Sequence, residues 1–214
     1  VQLLIEDSAL AVDALHHLKN LVVQTSGSES DKLPQSSFLR TVSRKRASDW
    51  IAMSPKPYVT EVLDRHLRAI KQASGLIYLS TQFFRDRTVA NALAQAAQDD
   101  PDLGMVLVLP AAPEDVAFNG STRSDARYGE YLQAKAVDTV QTAFGDRICV
   151  ACPVRPVNAK DDPDANGRAV LSQSPIVYLH AKVSIFGLDR AIVSSANLNQ
   201  RSMKWDTEAG VELT

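Results

Sequence analysis

Residues 178–199 read YLHAKVSIFGLDRAIVSSANLN, and this stretch decides the fold. It overlaps two short runs rich in β-branched and other apolar residues, 176–186 and 191–195, which are separated by a tight turn at 187–190. Two such runs on either side of a turn predict a β-hairpin. The chain is therefore expected to carry antiparallel strands near its carboxyl end.

The hairpin would gather polar side chains at one strand end. His180 and Lys182 are two residues apart, so on a strand they share one face. After the turn, Ser195 and Asn197 end the partner strand and return towards the first pair. Glu208 lies on or just before the next predicted strand. These residues are the candidates for a common site.

Upstream of the hairpin, apolar runs typical of strands alternate with segments of helical periodicity. The predicted strands are 1–5, 38–42, 75–80, 105–110, 148–151 and 211–214, and the predicted helices are 9–22, 58–74, 88–98 and 123–144. Alternation of strands and helices predicts an α/β fold, with a mixed β-sheet flanked by helices on both faces.

A polar segment divides the chain into two parts. Residues 24–36 read QTSGSESDKLPQS, a composition typical of linkers. We therefore expect residues 1–36 to form a short helical segment with a flexible linker, and residues 37–214 to form the main domain. A second polar segment, 155–175, predicts a long loop before the hairpin.

Composition disfavours several classes of protein. The net charge of -2 at pH 7 argues against a globally basic nucleic-acid binder, although a local basic run at 40–46 allows contact with an anionic surface. The hydrophobic fraction of 45% is that of a globular protein, and no apolar run approaches the roughly 20 residues of a membrane span. Cys149 and Cys152 form a single C-x-x-C pair, too few ligands for zinc, and we interpret them as two thiols on or beside a strand.

The candidate site suits substitution at phosphorus. A neutral imidazole such as His180 can act as a nucleophile or as a proton carrier. The ammonium of Lys182 and the amide of Asn197 can stabilise phosphoryl oxygens as negative charge develops. A carboxylate such as Glu208 can orient the imidazole and stabilise its charged form. The segment has no spacing typical of metal ligands, so we expect no metal and no other cofactor.

At these residues the sequence resembles the phospholipase D superfamily, whose signature is H-x-K-x4-D followed by a G/S-S-x-N element. Residues 180–182 (HAK) and 194–197 (SSAN) match that signature in order and spacing. Glu208 matches the later acidic residue of the family. One position departs from the pattern, because the signature aspartate falls at Gly187.

Two further segments support the resemblance. Residues 77–84, IYLSTQFF, resemble a strand end in the C-terminal lobe of the family, and residues 199–203, NQRSM, resemble the stretch after its second signature. The resemblance covers residues 38–214. It implies that the main domain is a phospholipase D-like lobe and that Gln82 lines its substrate site.

The resemblance also implies a mechanism, which is phosphodiester hydrolysis or phosphatidyl transfer through a phosphohistidine, without a metal or other cofactor. His180 would be the nucleophile or the general acid, oriented by Glu208. Lys182 and Asn197 would bind the phosphoryl oxygens of the substrate, assisted by Ser195.

The family mechanism uses two facing signatures, and this sequence contains one. The resemblance therefore implies a partner. It would be a second lobe of a longer bacterial protein, with residues 1–36 as the tail of the preceding lobe, or a second copy in a homodimer. The expected substrate is a phospholipid or another phosphodiester, with peripheral membrane contact and a cytoplasmic or membrane-peripheral location. The alternatives are a dimeric nuclease or phosphodiesterase, with nucleic acid the weaker expectation, and a degenerate non-catalytic lobe.

Overall fold

The computed structural model describes residues 4–24, 37–44, 54–121, 123–162 and 167–214. Most of the expected linker, residues 25–36, lies outside the described residues, as do Lys45 and Arg46 of the basic run. The start of the strand expected at 1–5 also lies outside them, and its last two residues have no regular secondary structure.

The described residues contain ten strands, eight of which form one mixed sheet. The strands are β1 (Phe38–Arg44), β2 (Lys56–Thr60), β3 (Leu76–Thr81), β4 (Gly104–Val108), β5 (Ile148–Ala151), β6 (Val170–Leu171), β7 (Ser174–Pro175), β8 (Lys182–Phe186), β9 (Arg190–Ser194) and β10 (Glu208–Leu213). The order in the large sheet is β2-β1-β10-β9-β8-β3-β4-β5, and β6 pairs with β7 alone. Strands β3, β4 and β5 are parallel, and the other neighbours in the large sheet are antiparallel.

Helices flank this sheet. They are α1 (Ser8–Gln24), α2 (Glu61–Gln72), α3 (Arg87–Asp99), α4 (Glu114–Ala117), α5 (Ser124–Phe144) and α6 (Gln200–Lys204). Helix α2 contacts α3 and α6, and α3 contacts α5, so these helices form a layer on one face. Helix α1 reaches the other face, where His17 packs against Phe38 of β1. The predicted class, a mixed sheet flanked by helices, is confirmed. None of the helices in the described residues has the length and apolar character needed to cross a membrane.

The core lies between the sheet and the helical layer, and it follows the apolar periodicity of the sequence. Ile77 and Leu79 of β3 point to the same face and are fully buried. Val62, Leu63 and Ile70 of α2 recur at helical spacing and are also buried. All of these residues belong to one continuous apolar cluster, which fixes the sheet against α2.

The structure corrects the start of one predicted helix. Residues 58–60 were expected to begin the helix at 58–74, but they lie in strand β2, where Val59 pairs with Val42 of β1. Tyrosine, valine and threonine all favour strands. Pairing with β1 also gives hydrogen-bond partners to the backbone groups at the edge of that strand. Strand preference and pairing together outweighed the helical periodicity that predicted a helix from residue 58.

The structure also shortens the strand that carries the candidate histidine. The strand expected over 176–186 begins only at Lys182, so His180 lies in irregular backbone ahead of β8. The partner strand explains this boundary, because β3 ends at Thr81, directly opposite Lys182. Ile176 forms only an isolated bridge to Val154.

Part of the segment expected to be a long loop is structured. The short strands β6 and β7 pair within it as a small hairpin. Ala169 and Ile176 pack with Ala112 and Ala117 in a second apolar cluster. This cluster fixes the chain just ahead of Tyr178, where it enters the candidate site.

Candidate active site

Several strand ends meet at one edge of the large sheet. Thr81, the last residue of β3, pairs with Lys182, the first residue of β8. Ser194 ends β9 at the same edge, and Glu208 begins β10 there. Side chains of paired residues on neighbouring strands point to the same face, and alternate residues of a strand share it. The register therefore puts Lys182 and Glu208 on one face of the sheet.

Lys182 supplies a positive charge to this edge. Its Nζ atom donates to Gln82 Oε1 at 3.3 Å and to the backbone carbonyl of His180 at 3.1 Å. Burial lowers the pKa of Lys182, and the nearby carboxylate of Glu208 acts in the opposite direction. An ammonium has three donors, so a further N–H can bind an anion.

Gln82 lies at the centre of a polar cluster that it forms with Lys182, Asn197 and Tyr178. Its Oε1 atom accepts from Lys182 and, at 3.5 Å, from Asn197 Nδ2. Its Nε2 atom donates to the hydroxyl of Tyr178. Because an ammonium can only donate, the amide oxygen must face Lys182, and the amide nitrogen then faces Tyr178. Gln82, which the resemblance expected to line the site, thus joins the lysine and the asparagine.

Tyr178 belongs to this cluster, although it was not among the site residues predicted from the sequence. Its ring packs edge to face against Phe118, with the ring centroids 6.0 Å apart. Phe118 is 48% exposed, so the two rings form an apolar rim beside the polar cluster. The sequence contained a signal for Tyr178. It lies two residues before His180 and four before Lys182, so on an extended chain the three side chains would share one face.

Asn197 is held in place by pairing between two segments of irregular backbone. Leu198 forms a bridge with Phe84, and its carbonyl accepts from the N–H groups of Arg85 at 2.7 Å and Asp86 at 2.9 Å. The Oδ1 atom of Asn197 is buried and accepts no hydrogen bond from the described residues. A buried acceptor without a donor costs free energy, so Asn197 carries an unsatisfied polar atom within the site.

Ser195 and Glu208 form a hydrogen-bonded pair. The Ser195 hydroxyl donates to Glu208 Oε2 and accepts from the backbone N–H of Ala209 at 3.1 Å. The backbone N–H of Ser195 in turn donates to the Ala209 carbonyl at 2.8 Å. The contact that the structure shows for Glu208 is therefore with Ser195, whereas the expected contact was with the imidazole of His180.

His180 lies at the exposed rim of the cluster. Its carbonyl accepts from Lys182, but its ring makes no hydrogen bond in the part of the chain that the structure describes. The structure thus brings together Lys182, Asn197 and Gln82, and places the Ser195–Glu208 pair at the same edge. It leaves the imidazole open to solvent.

A second histidine, His66, is buried beneath the cluster. Its Nδ1 atom lies 2.7 Å from the carbonyl of Val62, which can only accept, so Nδ1 carries the proton. Its Nε2 atom then accepts from the hydroxyl of Ser184 at 3.1 Å. Burial lowers the pKa of His66 to about 4, so this imidazole is neutral and supports β8 two residues beyond Lys182.

Gly187, where the signature aspartate would fall, lies at the opposite end of β8. Its φ of +67° is in the left-handed region that favours glycine, and its N–H donates to the carbonyl of Leu76 at 2.9 Å. Lys182 is five residues away along a strand, or about 16 Å at about 3.3 Å per residue. The departure from the signature is therefore a feature of the hairpin turn, remote from the polar cluster.

A comparison with protein families agrees with this geometry. A family model described as "Cardiolipin synthase, PLD-like domain" matches residues 66–214, more than two thirds of the chain. The sheet and its polar cluster define a phospholipase D-like domain, and the chain belongs to this family. The resemblance predicted from residues 180–182 and 194–197 is confirmed. A comparison with curated protein sequences gave no match.

Similar folds occur among solved structures. Phosphatidylserine synthase from Haemophilus influenzae gives a TM-score of 0.53 at 15% identity, and the match covers 86% of this chain and 36% of that chain. Nuc from Salmonella typhimurium, a phospholipase D family member, gives 0.47 at 16% identity, over 72% of this chain and 76% of that chain. NucT from Helicobacter pylori gives 0.41 at 13% identity, over 71% and 76%. At these identities the synthase supports the fold alone.

Proposed function

We propose that the chain supplies one half of a phospholipase D-type active site, which hydrolyses a phosphodiester or transfers a phosphatidyl group without a metal. The observation that carries this proposal is the convergence of Lys182 and Asn197 on Gln82, beside the open imidazole of His180. A cation and an amide next to an imidazole can hold a phosphodiester against a nucleophile. The description of the matching family as cardiolipin synthase supports a phospholipid substrate.

The proposed reaction has two steps and uses two imidazoles. In the first step, one imidazole nitrogen forms a bond to phosphorus as the bond to the leaving oxygen breaks, and the leaving alkoxide takes a proton from the second imidazole. In the second step, the second imidazole removes a proton from water or an alcohol, whose oxygen attacks phosphorus and breaks the P–N bond. Water yields phosphatidic acid, and an alcohol yields a new phosphodiester. His180 would be one of the two imidazoles.

Lys182 and Asn197 would bind the non-bridging oxygens of the phosphodiester. Negative charge on these oxygens grows in the transition state, and a partly buried ammonium stabilises that charge more strongly than an exposed one. The carboxylate of Glu208 opposes the effect of burial on the pKa of Lys182, which favours the charged ammonium that this role requires.

Glu208 would orient His180 and stabilise its imidazolium form. Ser195 binds only Oε2 of this carboxylate, which leaves Oε1 to accept from an imidazole N–H. The assisting role of Ser195 would be to hold the carboxylate at the strand end. His180 must turn its ring inward for this contact, and it is an exposed residue in irregular backbone ahead of β8.

The second imidazole would come from a facing half. One H-x-K signature supplies one imidazole, so the complete site requires a second copy of this chain or another phospholipase D-like lobe. The exposure of His180 supports this arrangement, because a facing half can reach it without rearrangement of the sheet. Contact with a membrane would be peripheral and would be made through the substrate.

A concentration series of the purified chain tests this proposal. Turnover would be measured with a fluorescent phospholipid in the presence of a primary alcohol, and with a single-stranded oligonucleotide. The test variant is His180→Asn, and the matched control is His16→Asn, which changes an exposed histidine of α1. We expect lipid turnover that rises more steeply than linearly with protein concentration, is lost in His180→Asn and is kept in His16→Asn.

The other outcomes would each contradict part of the proposal. Turnover that survives in His180→Asn would exclude the phosphohistidine mechanism at this residue. Faster turnover of the oligonucleotide than of the lipid would assign a nuclease. No turnover at any concentration, even with a second phospholipase D-like half added, would identify a degenerate lobe.

A further inference from the structure

Arg85 carries a positive charge that no described residue neutralises. Its side chain is half-buried, and its Nε atom is buried without a hydrogen-bond partner. Among the described residues, no carboxylate forms an ion pair with its guanidinium. Burial lowers the pKa of Arg85. The carboxylate of Glu130 acts in the opposite direction, but it pairs with Arg168 at 2.6 Å.

The guanidinium is held in place by nonpolar contacts. Its central carbon lies 4.1 Å from the centroid of the Phe83 ring. On another side it packs against the backbone of Gly129, where a Cβ atom would lie only 2.6 Å from Nη1 of Arg85. A guanidinium has five N–H donors, and one that leaves water is normally paired. Arg85 is therefore a cation that is held in place and has N–H groups without partners. Such a group can bind an anion with little loss of conformational freedom.

Arg85 also lines an open cleft of about 810 Å³. Further cationic side chains of the cleft are Arg87, Arg201 and Lys204. Arg201 is paired with Asp206 at 2.8 Å. The carboxylates among the described lining residues are already engaged, because Asp86 accepts from a backbone N–H of α3 at 3.0 Å and Asp125 lies 3.3 Å from Arg123. The cleft therefore favours an anionic ligand.

The cleft and the candidate active site are built from neighbouring stretches of chain. Gln82 and Arg85 are three residues apart, so their Cα atoms are separated by at most about 11 Å. Asn199, another residue of the cleft, follows Asn197 by two positions. Tyr178, which binds Gln82, opposes the effect of burial on the pKa of Arg85. A molecule bound at Gln82 can therefore extend to the guanidinium.

We propose that Arg85 is a second anion-binding site, and that the substrate carries a further phosphate or carboxylate close to the phosphodiester that reacts. That the substrate contains a reacting phosphodiester rests on the function proposed above. The binding of an anion to Arg85 can be measured without turnover. A guanidinium binds phosphate or carboxylate through two parallel hydrogen bonds, so the second group both adds affinity and orients the substrate.

Isothermal titration calorimetry on the full chain tests this site. The probes are α,ω-alkanediol bisphosphates with three to six methylene groups, each compared with the alkyl monophosphate of the same length. The test variants are Arg85→Gln and Arg85→Lys. The matched control is Arg68→Gln, which removes the same charge from an exposed position of α2. Circular dichroism and thermal unfolding establish that each variant is folded.

We expect the unmodified chain to bind at least one bisphosphate about tenfold more tightly than its monophosphate, as a charged hydrogen bond allows. Arg85→Gln should reduce this preference to the twofold statistical advantage of two phosphates, Arg85→Lys should retain part of it, and Arg68→Gln should retain all of it. Absence of any preference in the unmodified chain, or a preference that survives in Arg85→Gln, would overturn the proposal.

Lys182→Gln separates this proposal from the proposed function. If Lys182 binds the reacting phosphate, its substitution should weaken the binding of the monophosphates. Unchanged monophosphate binding in Lys182→Gln, together with loss of the bisphosphate preference in Arg85→Gln, would refute the phosphoryl role of Lys182 and leave the second anion site standing.

Discussion

Lowering the pH from 7 to 4 should reduce the free energy of unfolding by about 3 kcal/mol through the protonation of one residue, His66. Its imidazole is buried, with a relative exposure of 2%, between helix α2 and strand β8. Nδ1 donates to the carbonyl of Val62, and Nε2 accepts from the hydroxyl of Ser184. Protonation of Nε2 would place a charge in this apolar surrounding and would replace its acceptor with a second donor.

The direction of the effect follows from the two pKa values. The pKa of His66 falls from 6.5 to about 4 because burial disfavours the charged form. Between these values the unfolded chain binds more protons than the folded chain, so stability rises with pH across that window. The contribution is present in full above pH 6.5 and is lost as the pH falls towards 4. About 2 kcal/mol is lost by pH 5 and about 3 kcal/mol by pH 4.

Urea denaturation of the chain at pH 7, 5 and 4 measures this loss. His66→Gln removes the titrating group and retains a polar side chain, so its free energy of unfolding should depend less on pH, by about 3 kcal/mol between pH 7 and 4. The matched control is His16→Gln, which changes an exposed histidine and should keep the full dependence. Parallel pH dependence in the unmodified chain and in His66→Gln would refute the reasoning. If His66→Gln does not fold, an NMR titration of the unmodified chain decides, because protonation of the His66 ring near pH 6.5 would refute it equally.

Three further predictions concern the polar cluster, the hairpin turn and a buried ion pair. Tyr178→Phe leaves the buried Nε2 atom of Gln82 without its acceptor, so urea denaturation should show a loss of about 1 kcal/mol, and kcat/KM should fall because Gln82 holds Lys182 and Asn197. Gly187→Asp restores the signature residue but places it at φ +67°, so unfolding in urea should show a loss of about 1 kcal/mol and kinetics should show no gain in turnover. Glu61→Ala leaves the guanidinium of Arg40, 1% exposed, without its 2.6 Å partner, and denaturation should show a loss of about 3 kcal/mol. A loss below 1 kcal/mol for Glu61→Ala would mean that water replaces the carboxylate.

The sequence by itself determined the elements and the order in which they follow one another. Helix α5 and strands β3 to β5 match the predicted segments closely, because apolar periodicity over ten or more residues, or a short unbroken apolar run, is a local property. The spacing of His180, Lys182 and Asn197 was sufficient to identify the family. This spacing can be recognised in the sequence because the three residues lie in or directly beside one hairpin, β8–β9, within 20 residues of one another.

Only the tertiary structure decided which side chains touch. Gln82 and Tyr178 are 96 residues apart, and their hydrogen bond depends on the packing of β8 beside β3. Strand β2 formed where helical spacing was expected, because the edge of β1 offered backbone partners. The start of β8 at Lys182 followed from the end of β3 and not from the residues of β8 themselves.

The same distinction holds for charge. Nothing in the residues around Arg85 indicates that its guanidinium is half-buried and unpaired, because that depends on Phe83, on Gly129 of α5 and on the pairing of Glu130 with Arg168. Local sequence determines what a segment of chain can form, since backbone preference and periodicity act within a few residues. Whether a charge is buried and paired depends on groups that are distant in the chain. The energy of a buried charge depends on desolvation, which occurs only when the folded chain excludes water.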